Sequence, residues 1–195
     1  YYHLEVMVFL PLFFVSARHP WRSLLVLITS SIWAGVSRVN WFPVPAMLAI
    51  MLYLLEEPVS AYKSIWKYLA IPSLWAVLGP LLALAAQAAY IPLSGNENNI
   101  QAFASSFTSA KLWYRLWPND SFAPGIIPAI LMIGSPLIVA IVMATVQRNK
   151  ALHPIRCLGL WGMLAVLFAG GLVVSVKIGG GSDLHNMDAF AVSML

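Results

Sequence analysis

From Tyr68 to Leu93 the chain carries no charged side chain, and shorter apolar runs recur from one end to the other. A stretch that long has no water-facing stripe, so it cannot lie on the surface of a soluble domain. Its length suits the hydrocarbon of a bilayer, which an α-helix crosses in about 20 residues. The other runs cover 4–17, 23–37, 44–55, 124–146 and 155–176, and a last one, Ala189–Leu195, stands at the C-terminus. None alternates with period two, so helices rather than a closed barrel satisfy the backbone in lipid. Charged residues are 9% of 195 and hydrophobic ones 61%, against roughly 25% charge in a soluble domain. The pattern predicts an all-α transmembrane chain of about six to seven membrane helices, forming a single membrane domain over 1–195.

The chain opens on Tyr1-Tyr2-His3 without an initiator Met or a basic leader, and it stops inside an apolar run at Leu195. Both ends are therefore read as truncated, and the first run is not a signal peptide. Runs 23–37 and 44–55 are short for a crossing, and fit either two thin-membrane spans or one re-entrant hairpin. Cys157 is the single cysteine, which leaves no internal disulfide.

Lys and Arg set the orientation. If the runs alternate, one side holds Arg18, Arg22, Lys63, Lys67, Arg148, Lys150 and Arg156, and the other Arg38, Lys111, Arg115 and Lys177. The richer set is placed in the cytoplasm. A polar loop over 94–123 and a glycine-rich turn over 177–188 then face outward. The net charge of +4 is spread over loops without a basic-aromatic pattern, so no nucleic-acid partner is expected.

Candidate chemistry concentrates in the second of these outward segments. Gly179, Gly180 and Gly181 lack Cβ atoms and let the backbone approach a ligand. Ser182 or Asp183 fits the N-cap of a following helix, and with Lys177 beside it that helix start would suit an anion. Asp183, His185 and Asp188 bring two acids and an imidazole within six positions, a set suited to a proton, a divalent metal or sugar hydroxyls. As a metal motif Asp-x-His-x-x-Asp matches no closed zinc spacing, and no metal site is assigned. The competing reading is structural: a snorkelling lysine, an ordinary turn and a cap. In the loop, Phe103, Phe107, Trp113, Tyr114 and Trp117 suit an interfacial amphipathic helix with Lys111 and Arg115 one turn apart. Those residues would either anchor in lipid or hold a lipid-linked phosphate. Arg38 in Arg38–Pro45 is a fourth outward cation, in what reads equally as a tight turn anchored by Trp41. Asn119-Asp120-Ser121 matches a glycosylation sequon, a common pattern. There is no nucleophile elbow, Walker-type loop or zinc-protease motif.

The segment Lys177-Ile178-Gly179-Gly180-Gly181-Ser182-Asp183-Leu184-His185-Asn186 resembles bacterial multi-spanning glycosyltransferases of the GT-C class, related to the protein O-mannosyltransferases. Many of these carry a late helix ending in a Lys-x-Gly-rich turn, followed by a polar, Asn-containing helix start. The resemblance spans about a dozen residues, and His185-Asn186 stands where relatives often have Asn followed by an aromatic. It implies an integral protein of the bacterial inner membrane that moves a sugar from a polyprenyl-phosphate donor on the outer face. Its partners would be membrane lipid and the lipid-linked sugar. It also implies that Lys177 and Arg115 meet phosphate, and that Asp183, His185 and Asn186 meet sugar or acceptor. The catalytic acid would precede Tyr1. The alternative is a secondary transporter, with helices broken near Pro43–Pro45 and Gly179–Gly181. Against it, Glu5 apart, charged residues fall in loops rather than within runs.

Overall fold

Proline, glycine and serine set where the helices begin and end. The computed structural model describes residues 2–95, 110–120, 122–148, 152–177 and 184–195, with 2–4, 110–112, 148, 176 and 177 described by their backbone alone. Helix α1 covers Tyr2–Phe14 and α2 Pro20–Gly35, which starts on a proline whose missing N–H costs nothing there. Helix α3 covers Val44–Glu56. Helix α4, Ile65–Ser94, is capped by Ser64, whose Oγ accepts from the Lys67 N–H at 3.3 Å. It ends at Gly95, in the left-handed region with φ 69°. Helices α5 (Ile126–Arg148), α6 (Pro154–Lys177) and α7 (Asp188–Met194) follow. Short 3-10 turns lie at Val39–Trp41, Val59–Ala61, Ala110–Leu116 and Leu184–Met187. No strand occurs among the described residues.

Four segments are long and apolar enough to cross a membrane: Val39–Glu56, Ile65–Ser94, Ile126–Gln147 and Pro154–Ser175. The chain is thus an all-helical integral membrane protein. The sequence alone suggested more crossings, but α1 and α2 have only 13 and 16 residues. Val39–Glu56 reaches crossing length by adding its 3-10 turn to α3.

The chain divides into two compact units, Tyr1–Asn96 with Lys150–Met163, and Glu97–Asn149 with Leu164–Leu195. In the first, α1 to α4 pack around Leu27, Ala46, Ala49, Tyr53, Tyr68 and Trp75. Between lipid-solvated helices the hydrophobic effect gives little drive, so close backbone approach matters more. Small residues supply it here. A Cβ on Gly35 would stand 2.2 Å from the Ala83 carbonyl oxygen, and one on Gly79 2.6 Å from Ala46 Cβ and 3.3 Å from Ser31 Oγ. Ala83 lies about 27 Å along α4 from Ile65 at 1.5 Å per residue. The tip of the α2–α3 hairpin therefore stands about one hydrocarbon thickness from the opposite rim.

That opposite rim is tied by polar groups. The Ser16 Oγ–H and the Ala17 N–H both donate to Glu56 Oε2, at 3.1 and 2.8 Å. The Ser16 N–H donates to Ser23 Oγ at 2.9 Å, and the Ser23 hydroxyl returns a bond to the Ser16 carbonyl at 2.8 Å. The Tyr53 hydroxyl donates to the Tyr68 carbonyl at 3.1 Å. Arg156, counted from sequence as a loop cation, is buried. Its Nε donates to the Leu54 carbonyl and its Nη2 to the Leu55 carbonyl, the latter at 2.8 Å. The guanidinium matches the unpaired carbonyls at the end of α3, which also carry the negative end of the helix dipole.

In the second unit α7 runs antiparallel to the latter half of α6. Phe168 and Phe190 stack edge-on at 5.1 Å, and a Cβ on Gly171 would meet Met187 Sδ at 2.8 Å and the Asn186 carbonyl at 3.1 Å. Helix α7 also packs on α5, with Met194 Cε 3.3 Å from where a Cβ on Gly134 would be. The helix begins later than the sequence suggested. Its N-cap is Met187, without a side-chain cap, and Leu184–Met187 forms a 3-10 turn that buries both Asn186 and Met187. Ser182 and Asp183 lie outside the described residues.

Candidate functional site

Arg38 apart, the sequence candidates that fall on described residues lie in the second unit, on the 3-10 turns Ala110–Leu116 and Leu184–Met187, at the end of α6 and at the start of α7. The 3-10 turns Ala110–Leu116 and Leu184–Met187, which carry Arg115 and Asn186, both pack against α5. Asn186 is 1% exposed, and its Nδ2 has no hydrogen-bond partner. Arg115 is half-buried, with Nε buried and unpartnered and its guanidinium carbon 5.9 Å from the Tyr114 ring centre. Ser175, one helical turn past Gly171 on α6, is 2% exposed and its Oγ is also unpartnered. His185 and Asp188 are half-buried, and neither is without a partner. Lys177 ends α6 and Lys111 lies in the first 3-10 turn, each described by backbone alone. Gly179, Gly180, Gly181, Ser182 and Asp183 lie outside the described residues, as do Phe103 and Phe107.

Leaving a buried polar group unpaired costs about 1–3 kcal/mol. Three such groups, Arg115 Nε, Asn186 Nδ2 and Ser175 Oγ, lie in the second unit, and each would gain from an occupant offering acceptors. Arg115 and Asn186 present N–H donors and Ser175 a hydroxyl, a set suited to phosphate oxygens or sugar hydroxyls.

The first of those turns differs from the amphipathic α-helix expected. Ala110–Leu116 is a 3-10 helix of three residues per turn, so side chains three apart eclipse. Positions 111 and 115 then stand about 120° apart rather than on one face. Trp113 and Trp117 remain exposed, at 61% and 59%, as aromatics of a membrane interface do. The turn is held against the start of α5 by a compact loop. The Asn119 Nδ2–H donates to the Trp117 carbonyl at 2.8 Å, while its Oδ1 accepts from the Phe122 N–H at 3.0 Å. Gly125, at φ 72°, lets this loop close: a Cβ there would lie 2.3 Å from the Trp117 carbonyl carbon. The sequon's Asn119 thus serves as a loop staple, its amide committed to the Trp117 carbonyl.

Arg38 belongs to the first unit. It precedes the 3-10 turn Val39–Trp41 at the tip of the α2–α3 hairpin, is half-buried, and stands apart from the Arg115–Asn186 group in the chain's division into units.

Among the described residues no group of three His, Cys, Asp or Glu side chains could hold a metal ion. Sequence reasoning did not single out Ser175 or the buried role of Arg156. A serine among valines near a helix end, and a lone arginine two residues after the helix-starting proline, were the available signals. No protein-family model matches the sequence, and neither a curated protein nor a solved structure is detectably similar to the chain.

Proposed function

We propose that the chain is part of the membrane domain of a glycosyltransferase that takes a sugar from a polyprenyl-phosphate donor, held where α5 begins and α6 ends. The observation that carries this reading is Asn186, almost wholly buried with its amide N–H groups unpaired, in the segment that resembles such enzymes. Arg115 would meet the phosphate, with Lys177 at the α6 terminus as a second cation. Asn186, His185 and Ser175 would meet sugar or acceptor hydroxyls. The exposed apolar side chains of α5, among them Met132, Ile133 and Val139, offer a surface along which a prenyl chain could lie. In this reading α2 and α3 also traverse the bilayer, and the donor is taken on the extracytoplasmic side.

The test is transfer of sugar from a polyprenyl phosphate by the full-length protein carrying Asn186→Leu, with Lys177→Ala alongside. A lost hydrogen bond to a charged group is worth about 1.5–3 kcal/mol, so each variant should lose roughly one to two decades of transfer at subsaturating donor. If Asn186 is merely a poorly paired core residue, Asn186→Leu should leave transfer intact and raise thermal stability.

A transporter is the second reading, favoured by Ser30 and Ser31. Both are 0% or nearly 0% exposed in the α2–α4 region, with unpartnered Oγ atoms, beside an α4 interrupted by Pro72, Pro80 and Pro92. Solute flux through liposomes that is lost in Ser31→Ala, without consumption of any lipid-linked sugar, would favour it.

A further inference from the structure

The tip of the α2–α3 hairpin carries polar donors that neither the fold nor the proposed donor site uses. Trp41 is 3% exposed, yet its indole Nε1–H has no hydrogen-bond partner, and the Nδ2 of neighbouring Asn40 is also buried and unpartnered. A buried tryptophan ordinarily finds an acceptor for its N–H, because the group gave up water to be there. The backbone of the turn is itself satisfied. The Arg38 N–H donates to the Ala34 carbonyl at 3.2 Å, Trp41 N–H to the Arg38 carbonyl at 3.0 Å and Phe42 N–H to the Val39 carbonyl at 3.2 Å. The buried atoms left unpaired are therefore two side-chain N–H donors, Asn40 Nδ2 and Trp41 Nε1.

Arg38 adds charge beside those donors. It is the extended N-cap residue of the 3-10 turn that Trp41 ends, so cation and indole bracket one three-residue turn. The Arg38 guanidinium makes no hydrogen bond or ion pair among the described residues. The turn itself contains no acid, and Glu5, near the start of α1, is exposed. A guanidinium, a carboxamide N–H and an indole N–H, with no carboxylate among them, are complementary to an oxyanion.

We propose that Arg38, Asn40 and Trp41 form an anion-binding site at the hairpin tip, taking a phosphate group, either that of a lipid headgroup or a free phosphate. The site lies wholly within the first unit and does not rest on the glycosyltransferase reading. Its aromatic and apolar neighbours, Phe42 and Val44, are buried, so the anion would lie against a partly dry surface where each hydrogen bond counts for more than in water.

The experiment is an amide and indole nitrogen–proton correlation spectrum of the full chain, with the Trp41 indole signal assigned by Trp41→Phe. In detergent the chain is titrated with inorganic phosphate. In nanodiscs, discs of phosphatidylcholine are compared with discs containing phosphatidylglycerol. The Trp41 indole signal should move downfield with one of the two phosphate sources, and Arg38→Gln should weaken that response about tenfold or more. Movement with inorganic phosphate alone identifies a soluble anion, and movement with phosphatidylglycerol alone a lipid headgroup; each supports the site. An indole signal indifferent to both, or one that responds equally in Arg38→Gln, would overturn it.

Discussion

Arg156 is buried with no carboxylate on it among the described residues, and its two hydrogen bonds run to the last carbonyls of α3, Leu54 and Leu55. Replacing it with methionine keeps much of the side-chain length and removes both bonds. A hydrogen bond from a charged donor contributes about 1.5–3 kcal/mol. The substitution also removes the desolvation cost of burying the guanidinium, which offsets part of the loss. A net loss of about 3 kcal/mol follows, because the Leu54 carbonyl would stay buried without its donor and the part-buried Leu55 carbonyl would lose a charged one. For a chain of this length that corresponds to a fall of about 6–12 °C in the unfolding midpoint. The assay is thermal unfolding in detergent, followed with a thiol-reactive dye. Cys157 is the only cysteine, is half-buried, and adjoins Arg156 on α6, so it reports the loosening of this helix start directly. Arg156→Lys should fall between the two, since an ammonium keeps the charge but cannot span two carbonyls as a planar fork. A midpoint for Arg156→Met within about 1 °C of wild type would refute the idea that this clamp holds the start of α6 to α3.

Other perturbations follow from the same geometry. Gly35→Ala should cost about 1–3 kcal/mol, because its Cβ would press on the backbone oxygen of Ala83, which no rotamer change can move. Gly162→Ala is the control: nothing lies within 4 Å of its Cβ position, so helix propensity should leave the thermal midpoint unchanged or raised. Gly125→Ala combines a clash with Trp117 and a left-handed φ, and should open the 117–125 loop to protease while sparing helices α1 to α4. Asn119 should acquire no glycan in glycosylating microsomes, read as an unchanged gel mobility, because its amide is committed to the Trp117 carbonyl.

The helices were largely legible because bilayer thickness and hydropathy act on whole segments. Apolar runs at 44–55, 124–146 and 155–176 lie within two residues of α3, α5 and α6 at both ends. Pro20, Ser64 and Gly95 start or stop helices by mechanisms that need only local chemistry, signals that hydropathy runs starting at Ser23 and Tyr68 passed over. Features that depend on packing were not legible. The 184–187 turn tightens to 3-10 geometry where Asn186 and Met187 press on Gly171, a neighbour distant in sequence. Arg156 looked like one more loop cation because its partners are backbone carbonyls roughly a hundred residues away, which leave no side-chain signature. For the site, the sequence marked Arg38, Arg115, His185, Asn186 and Asp188 by polarity against an apolar background. Which of their atoms lack partners became visible only in three dimensions.

The most direct measurement is made on the intact, full-length protein in proteoliposomes loaded with a radiolabelled polyprenyl-phosphate sugar. Release of the label from the lipid, dependent on an added acceptor and reduced about tenfold or more by Asn186→Leu, is the predicted result. Label that stays on the lipid under every acceptor condition, while the same vesicles pass a solute across the bilayer, would contradict it.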